Sequence, residues 1–106
     1  MRTLFVCGKA RMRSPTAADV AATFPNVESD FAGVSGDAVE RVSLDQVDWA
    51  DVIFVMETVH KRKLTAQFGS ALRGKRIVVL SIPDRYAYGD PDLIARLQPL
   101  LKSHLT

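Results

Sequence analysis

Cys7-Gly8-Lys9-Ala10-Arg11-Met12-Arg13-Ser14-Pro15 follows directly on the apolar run Leu4-Phe5-Val6. The only cysteine of the chain thus ends a predicted strand, and five residues separate it from an Arg-Ser-Pro triplet. Read as strand, short loop and helix, the stretch builds an anion cradle. The strand delivers the sulfur, the loop offers backbone N–H groups, and a helix beginning near Pro15 turns its positive end into the loop. A free cysteine taken alone is more often a core residue. Arg13-Ser14-Pro15 at this spacing, between a strand and a helix, reverses that reading in favour of a phosphate-binding thiolate.

Outward from this stretch, strand-like and helix-like segments alternate. Compact apolar runs predict strands over residues 3–7, 51–56 and 76–82, and a weaker one over 27–33. Their continuous apolar character suits strands buried on both faces. Helical spacing predicts helices over 15–24, with Ser14 and Pro15 as cap and first-turn pair, over 43–49, over 58–72 with a basic exposed face, and from Asp90-Pro91 onward. The pattern predicts one domain over residues 1–106. Its expected class is α/β, a doubly wound four-stranded parallel sheet with helices on both faces. In such sheets ligands bind at the carboxyl ends of the strands, where Cys7 lies.

Composition narrows the function classes. With 14 Lys and Arg against 12 Asp and Glu, the net charge of +2 is too mild to point to nucleic acid or a membrane surface. No apolar stretch has the length of a membrane span, and the short run after Met1-Arg2 does not read as a signal peptide, so a cytoplasmic protein is expected. One cysteine cannot form an internal disulfide. With only His60 and His104 for company it cannot build a structural zinc site either, so neither metal nor cofactor is expected.

The chemistry of the cradle follows from its target. A phosphate monoester is a dianion, and a nucleophile that attacks its phosphorus needs a site that already holds negative charge. Gly8, Lys9, Ala10, Arg11 and Met12 supply loop amides, and the planar fork of Arg13 grips two equatorial oxygens. The same field favours the thiolate, and Ser14 can donate a hydrogen bond to the sulfur.

On these residues the chain resembles the low-molecular-weight protein tyrosine phosphatases, most closely their short bacterial branch. The family hallmark is a cysteine, five residues, then Arg-Ser-Pro at the end of the first strand, matched by Leu4-Phe5-Val6-Cys7 and Arg13-Ser14-Pro15. The similarity continues through Phe31-Ala32-Gly33, Val52-Ile53-Phe54-Val55-Met56-Glu57 and Pro83-Asp84-Arg85-Tyr86, covering most of the chain. It implies the family fold and hydrolysis of a phosphorylated protein or a small aryl phosphate through a phosphocysteine. Two loop positions depart from the family. Ala10 stands where an Asn usually braces the loop, and Met12 where a second cysteine is common, so an oxidised Cys7 has no disulfide partner in the chain.

Expulsion of the leaving oxygen calls for an acid, and the water step calls for the same group as base. Asp84, after Pro83 and beyond the fourth strand, matches the family's acid. Asp90 before Pro91 reads as a helix cap, and Glu57, which could also line the site after the third strand, as a loop-ordering or capping residue. Tyr86 is a candidate aromatic wall for the substrate, with Tyr88 a weaker one. Lys9 and Arg11 raise the local field or attract acidic phosphopeptides. His60-Lys61-Arg62-Lys63 reads as a solvated basic face, and no aromatic interleaving points to nucleic acid. Two rivals remain: arsenate reduction with an external thiol, and a phosphate-binding module without turnover.

Overall fold

The computed structural model describes residues 1–106. Its elements follow as β1 (Arg2–Cys7), α1 (Arg13–Ala21), β2 (Glu28–Gly33), α2 (Leu44–Trp49), β3 (Val52–Val55), α3 (Thr58–Phe68), a 3₁₀ turn at Gly69–Leu72, β4 (Arg76–Val79) and α4 (Pro91–Leu105). The four strands are all parallel in the order β2-β1-β3-β4, as the alternating pattern requires.

The apolar run of β1 is buried on both sides because successive side chains point to opposite faces. Leu4 and Val6 pack with Val47 of α2 and Leu64 of α3. Phe5 and Cys7 pack on the other face with Ala17 of α1 and with Leu93, Leu97 and Leu101 of α4. Phe5 pairs in register with Phe54 of β3, and their rings stack at 5.0 Å. Each such fully buried Leu or Phe contributes about 1.5–3 kcal/mol relative to leaving it exposed. The sheet is therefore a rigid two-sided platform for whatever its strand ends carry.

Topology then locates the site. The chain leaves β1 for β2 on one side and later returns to β3 on the other, so the direction of winding reverses between β1 and β3. A crevice opens at their carboxyl ends, between Cys7 and the turn after Val55.

Element ends differ from the sequence reading for local reasons. Helix α1 begins at Arg13, which puts Ser14 inside the helix rather than at its cap. Ser43 lies outside α2 as its cap, accepting from the Gln46 N–H while the Gln46 side chain accepts from the Ser43 N–H. The predicted long helix over 58–72 breaks at Gly69, whose φ of +44° an L side chain rarely adopts. The fourth strand stops at Val79 because Ser81 takes φ 56°, although Leu80 and Ile82 still donate to Val55 and Met56 at 2.9 Å. Asp90 caps α4, accepting from the Asp92 N–H at 2.9 Å, with Pro91 in the first turn. No helix is long and apolar enough to cross a membrane.

Candidate active site

The loop between β1 and α1 is shaped from behind by the segment that follows β2. Val34, Ser35 and Val39 donate their N–H groups to the carbonyls of Cys7, Gly8 and Lys9 at 3.0, 2.9 and 2.9 Å. In a trans peptide the next residue's N–H points opposite to the carbonyl, so the N–H groups of Gly8, Lys9 and Ala10 are turned to the other side. That of Ala10 lands on Cys7 Sγ at 3.2 Å. The N–H groups of Gly8, Lys9, Arg11 and Met12 find no acceptor in the protein and are free for an oxyanion. Lys9 and Asp37 tie the two segments further at 3.5 Å, and Asp37 is held below its ordinary value by the Ser35 hydroxyl and the Lys9 ammonium.

Gly33 makes this contact between the two segments sterically feasible. A Cβ there would lie 2.5 Å from the Gly8 carbonyl oxygen and 2.7 Å from Ala38 Cβ. Because the first obstacle is backbone, it can yield only by moving the loop. Gly33→Ala is therefore expected to cost about 1–3 kcal/mol and to distort the cradle, measurable as a lowered denaturation midpoint together with weakened phosphate binding. Wild-type stability and binding in that variant would show that the two segments are not in the close contact described.

Cys7 Sγ is buried, and Ser14 Oγ sits 3.0 Å from it. When the sulfur is an anion, the hydroxyl must be the donor of that pair. The first turn of α1 carries no acidic residue, and its cap residue Met12 gives no side-chain acceptor. An uncapped positive helix end thus faces the sulfur and the free loop amides. Pro15 costs nothing in this first turn, where its missing N–H would have no intrahelical partner. Ala10 does take the left-handed conformation, φ 61°, a strain on the order of 1–2 kcal/mol without the Asn that usually eases it.

Arg13 is buried and gripped along one edge. Its Nη1 donates to Glu57 Oε1 at 2.5 Å and to the Ile82 carbonyl at 2.7 Å. Its Nε stands 3.7 Å from Asp84 Oδ1, beyond hydrogen-bond distance, so the Nε–Nη2 edge is left for a ligand. Glu57, read from sequence as a loop-ordering acid, is the clamp on this guanidinium. Asp84 is exposed on the rim, one residue past Pro83 and two past the fully buried Ile82.

Cys7, Gly8, Arg13, Glu57, His60 and Asp84 share the walls of a cleft of about 420 Å³. Lys9, Arg11, Met12, Ser35 and Lys63 complete its lining, which contains no Phe, Tyr or Trp. Tyr86, expected as an aromatic wall, lies outside it. Its hydroxyl accepts from Arg85 at 3.2 Å and Arg96 at 3.5 Å, two cations that also hold its ionisation below the ordinary tyrosine value. Tyr88 donates to Asp19 on α1, whose carboxylate pushes the pKa of that phenol above its ordinary value. Both tyrosines fasten the loop after β4 rather than face the cleft.

His60 also departs from the sequence reading. Lys61, Arg62 and Lys63 are exposed, as a solvated basic face requires, but His60 is 5 % exposed and turned into the cleft. The apolar periodicity of this helix is weak, so nothing in the run of bases distinguishes the inward residue. The one available signal was position: His60 lies three residues after Glu57, where a helix's third residue can reach back to the cap.

No protein-family model matches the chain, and no curated protein matches it in sequence. Solved structures do match it along nearly its whole length. The tyrosine phosphatase Wzb from Escherichia coli K30, in complex with phosphate, aligns at TM-score 0.79 and 19% identity over 97% of this chain and 94% of its own. A low molecular weight protein tyrosine phosphatase from T. tengcongensis aligns at 0.75 and 22%, over 99% and 97%. The YwlE arginine phosphatase from Geobacillus stearothermophilus aligns at 0.68 and 24%, over 97% and 94%. With sheet order, strand-end cradle and these alignments in agreement, the chain has the fold of the low-molecular-weight protein tyrosine phosphatases.

Proposed function

We propose that this chain is a cysteine-dependent phosphate monoester hydrolase of the protein-tyrosine-phosphatase type, working through a phosphocysteine intermediate. The observation that carries the reading is the convergence, on one cleft, of a buried Cys7 Sγ, free loop amides, the open edge of Arg13 and the rim carboxylate of Asp84. Structural neighbours that are tyrosine and arginine phosphatases support it.

In the first step the Cys7 thiolate attacks phosphorus in line with the substrate oxygen. The P–O bond breaks, its electron pair leaves on that oxygen, and the Asp84 carboxyl supplies the proton. The loop amides and Arg13 hold the three equatorial oxygens as charge redistributes. In the second step Asp84, now a carboxylate, takes a proton from water as the water oxygen attacks the thiophosphate. The S–P bond breaks, inorganic phosphate forms, and the electron pair returns to sulfur under the Ser14 hydroxyl. The Ala10 N–H bond to Cys7 Sγ supports turnover over mere phosphate binding, since the loop holds the nucleophile without the usual Asn. The substrate is a phosphorylated protein or a small aryl phosphate, approached across a rim made basic by Lys9, Arg11 and Lys63.

Asp84→Asn tests the assignment of the acid. Turnover of an aryl phosphate should fall about 10²-fold, and that of an alkyl phosphate, whose leaving oxygen needs the proton more, should fall further. An unchanged rate on the alkyl ester would remove Asp84 from the mechanism.

A further inference from the structure

His60 is buried on α3 yet has one ring nitrogen without a partner. Its Nδ1 accepts the Glu57 backbone N–H at 3.1 Å, which leaves the proton of the neutral ring on Nε2. Nε2 makes no hydrogen bond within the protein and lines the cleft. A Cβ placed on Gly8 would lie 3.9 Å from it, so the ring edge stands one van der Waals contact from the first residue of the cradle loop. We propose that His60 is a ligand-contacting residue of this cleft, a neutral imidazole whose Nε2–H donates to an oxygen of the bound phosphoryl group. This rests on the reading of the cleft as a phosphate site.

The surroundings keep the ring in that form. Burial first, then the positive Arg13 on α1, push its ionisation below the ordinary 6.5; Lys63 acts in the same sense, while Glu57 and Asp84 act against it. Protonation would put a hydrogen on Nδ1 facing the Glu57 N–H, two donors in opposition. It would also disturb the residue that clamps Arg13 at 2.5 Å. His60 therefore has two functions: it contacts the anion through Nε2, and it fixes through Nδ1 the turn that carries Glu57.

The two functions separate by substitution. The Asn amide oxygen can accept the Glu57 N–H but its amide does not reach the place of Nε2, whereas Gln reaches it with an N–H donor. Inorganic phosphate is titrated into the full chain with ¹⁵N-labelled histidine rings, His104 on α4 serving as the internal reference among two histidines. The expected result is a neutral Nε2–H ring for His60 whose Nε2 resonance moves on phosphate binding while that of His104 does not. His60→Asn should bind phosphate about tenfold more weakly, with His60→Gln recovering part of the loss. Phosphate that fails to bind, or that binds with the His60 Nε2 unmoved and wild-type affinity in His60→Asn, overturns the proposal. An inert wild type in which phosphate still moves Nε2 would instead refute the hydrolase reading alone.

The same burial gives a sign for stability. Because native His60 resists protonation and the unfolded chain does not, the unfolded state binds more protons as pH falls through 6.5. The stability held above that value is lost progressively toward the lower native value. His60→Gln should flatten that acid slope; an unchanged slope would mean the ring titrates normally in the folded protein.

Discussion

Arg13→Lys should lower turnover of an aryl phosphate on the order of 10³-fold while leaving the protein folded. The expected loss has two sources. A lysine keeps the charge but presents a compact ammonium, so the two-point grip on equatorial oxygens is gone. It also cannot reach the Glu57 carboxylate and the Ile82 carbonyl from one edge while facing the ligand with the other, as the guanidinium does at 2.5 and 2.7 Å. Leaving the Ile82 carbonyl short of a partner costs about 1–3 kcal/mol of stability, a tolerable loss for a folded domain. The signature to look for is a fall in kcat larger than the rise in KM, because planar recognition of the transferring phosphoryl group matters most in the transition state. Near-wild-type kcat in Arg13→Lys would mean that charge alone suffices and that the open edge of the guanidinium does not hold the reacting group.

The order of elements and the parallel sheet follow from features that sequence records well: continuous apolar runs such as Leu4-Phe5-Val6 and Val52-Ile53-Phe54-Val55, separated by helical periods. The placement of Cys7 at the end of β1 and of Arg13 and Ser14 at the start of α1 was equally readable, because an apolar run, a short polar loop and an Arg-Ser-Pro triplet mark strand, loop and helix start. The support behind the cradle was not. The absence of an Asn at position 10 suggested a loop without its brace, yet Val34, Ser35 and Val39 brace it through backbone N–H groups that any residue but proline could supply. Only Gly33 marks that contact in the sequence, and its meaning depends on the Gly8 carbonyl lying against it. His60 was hidden for a related reason. Its neighbours Lys61, Arg62 and Lys63 are solvated, and a histidine amid bases reads as one of them until the helix cap turns it inward. Tyr86 is the opposite case: proximity to Asp84 in sequence suggests a wall, whereas its hydroxyl accepts from Arg85 and Arg96 and the cleft lining does not include it.

Cys7 carries the largest expected effect. Replacing sulfur by oxygen leaves the loop amides, Arg13 and the helix end in place, so inorganic phosphate should still bind. It removes the nucleophile, because a serine hydroxyl is not ionised in that position as a thiol can be and attacks phosphorus poorly. Loss of turnover on the order of 10⁴-fold or more is the expected consequence. The decisive measurement is therefore the hydrolysis of a generic aryl phosphate by the wild type beside Cys7→Ser, with phosphate binding measured on both. The account predicts measurable turnover in the wild type, none above background in Cys7→Ser, and comparable phosphate affinity in the two. Equal turnover in the two proteins would contradict it.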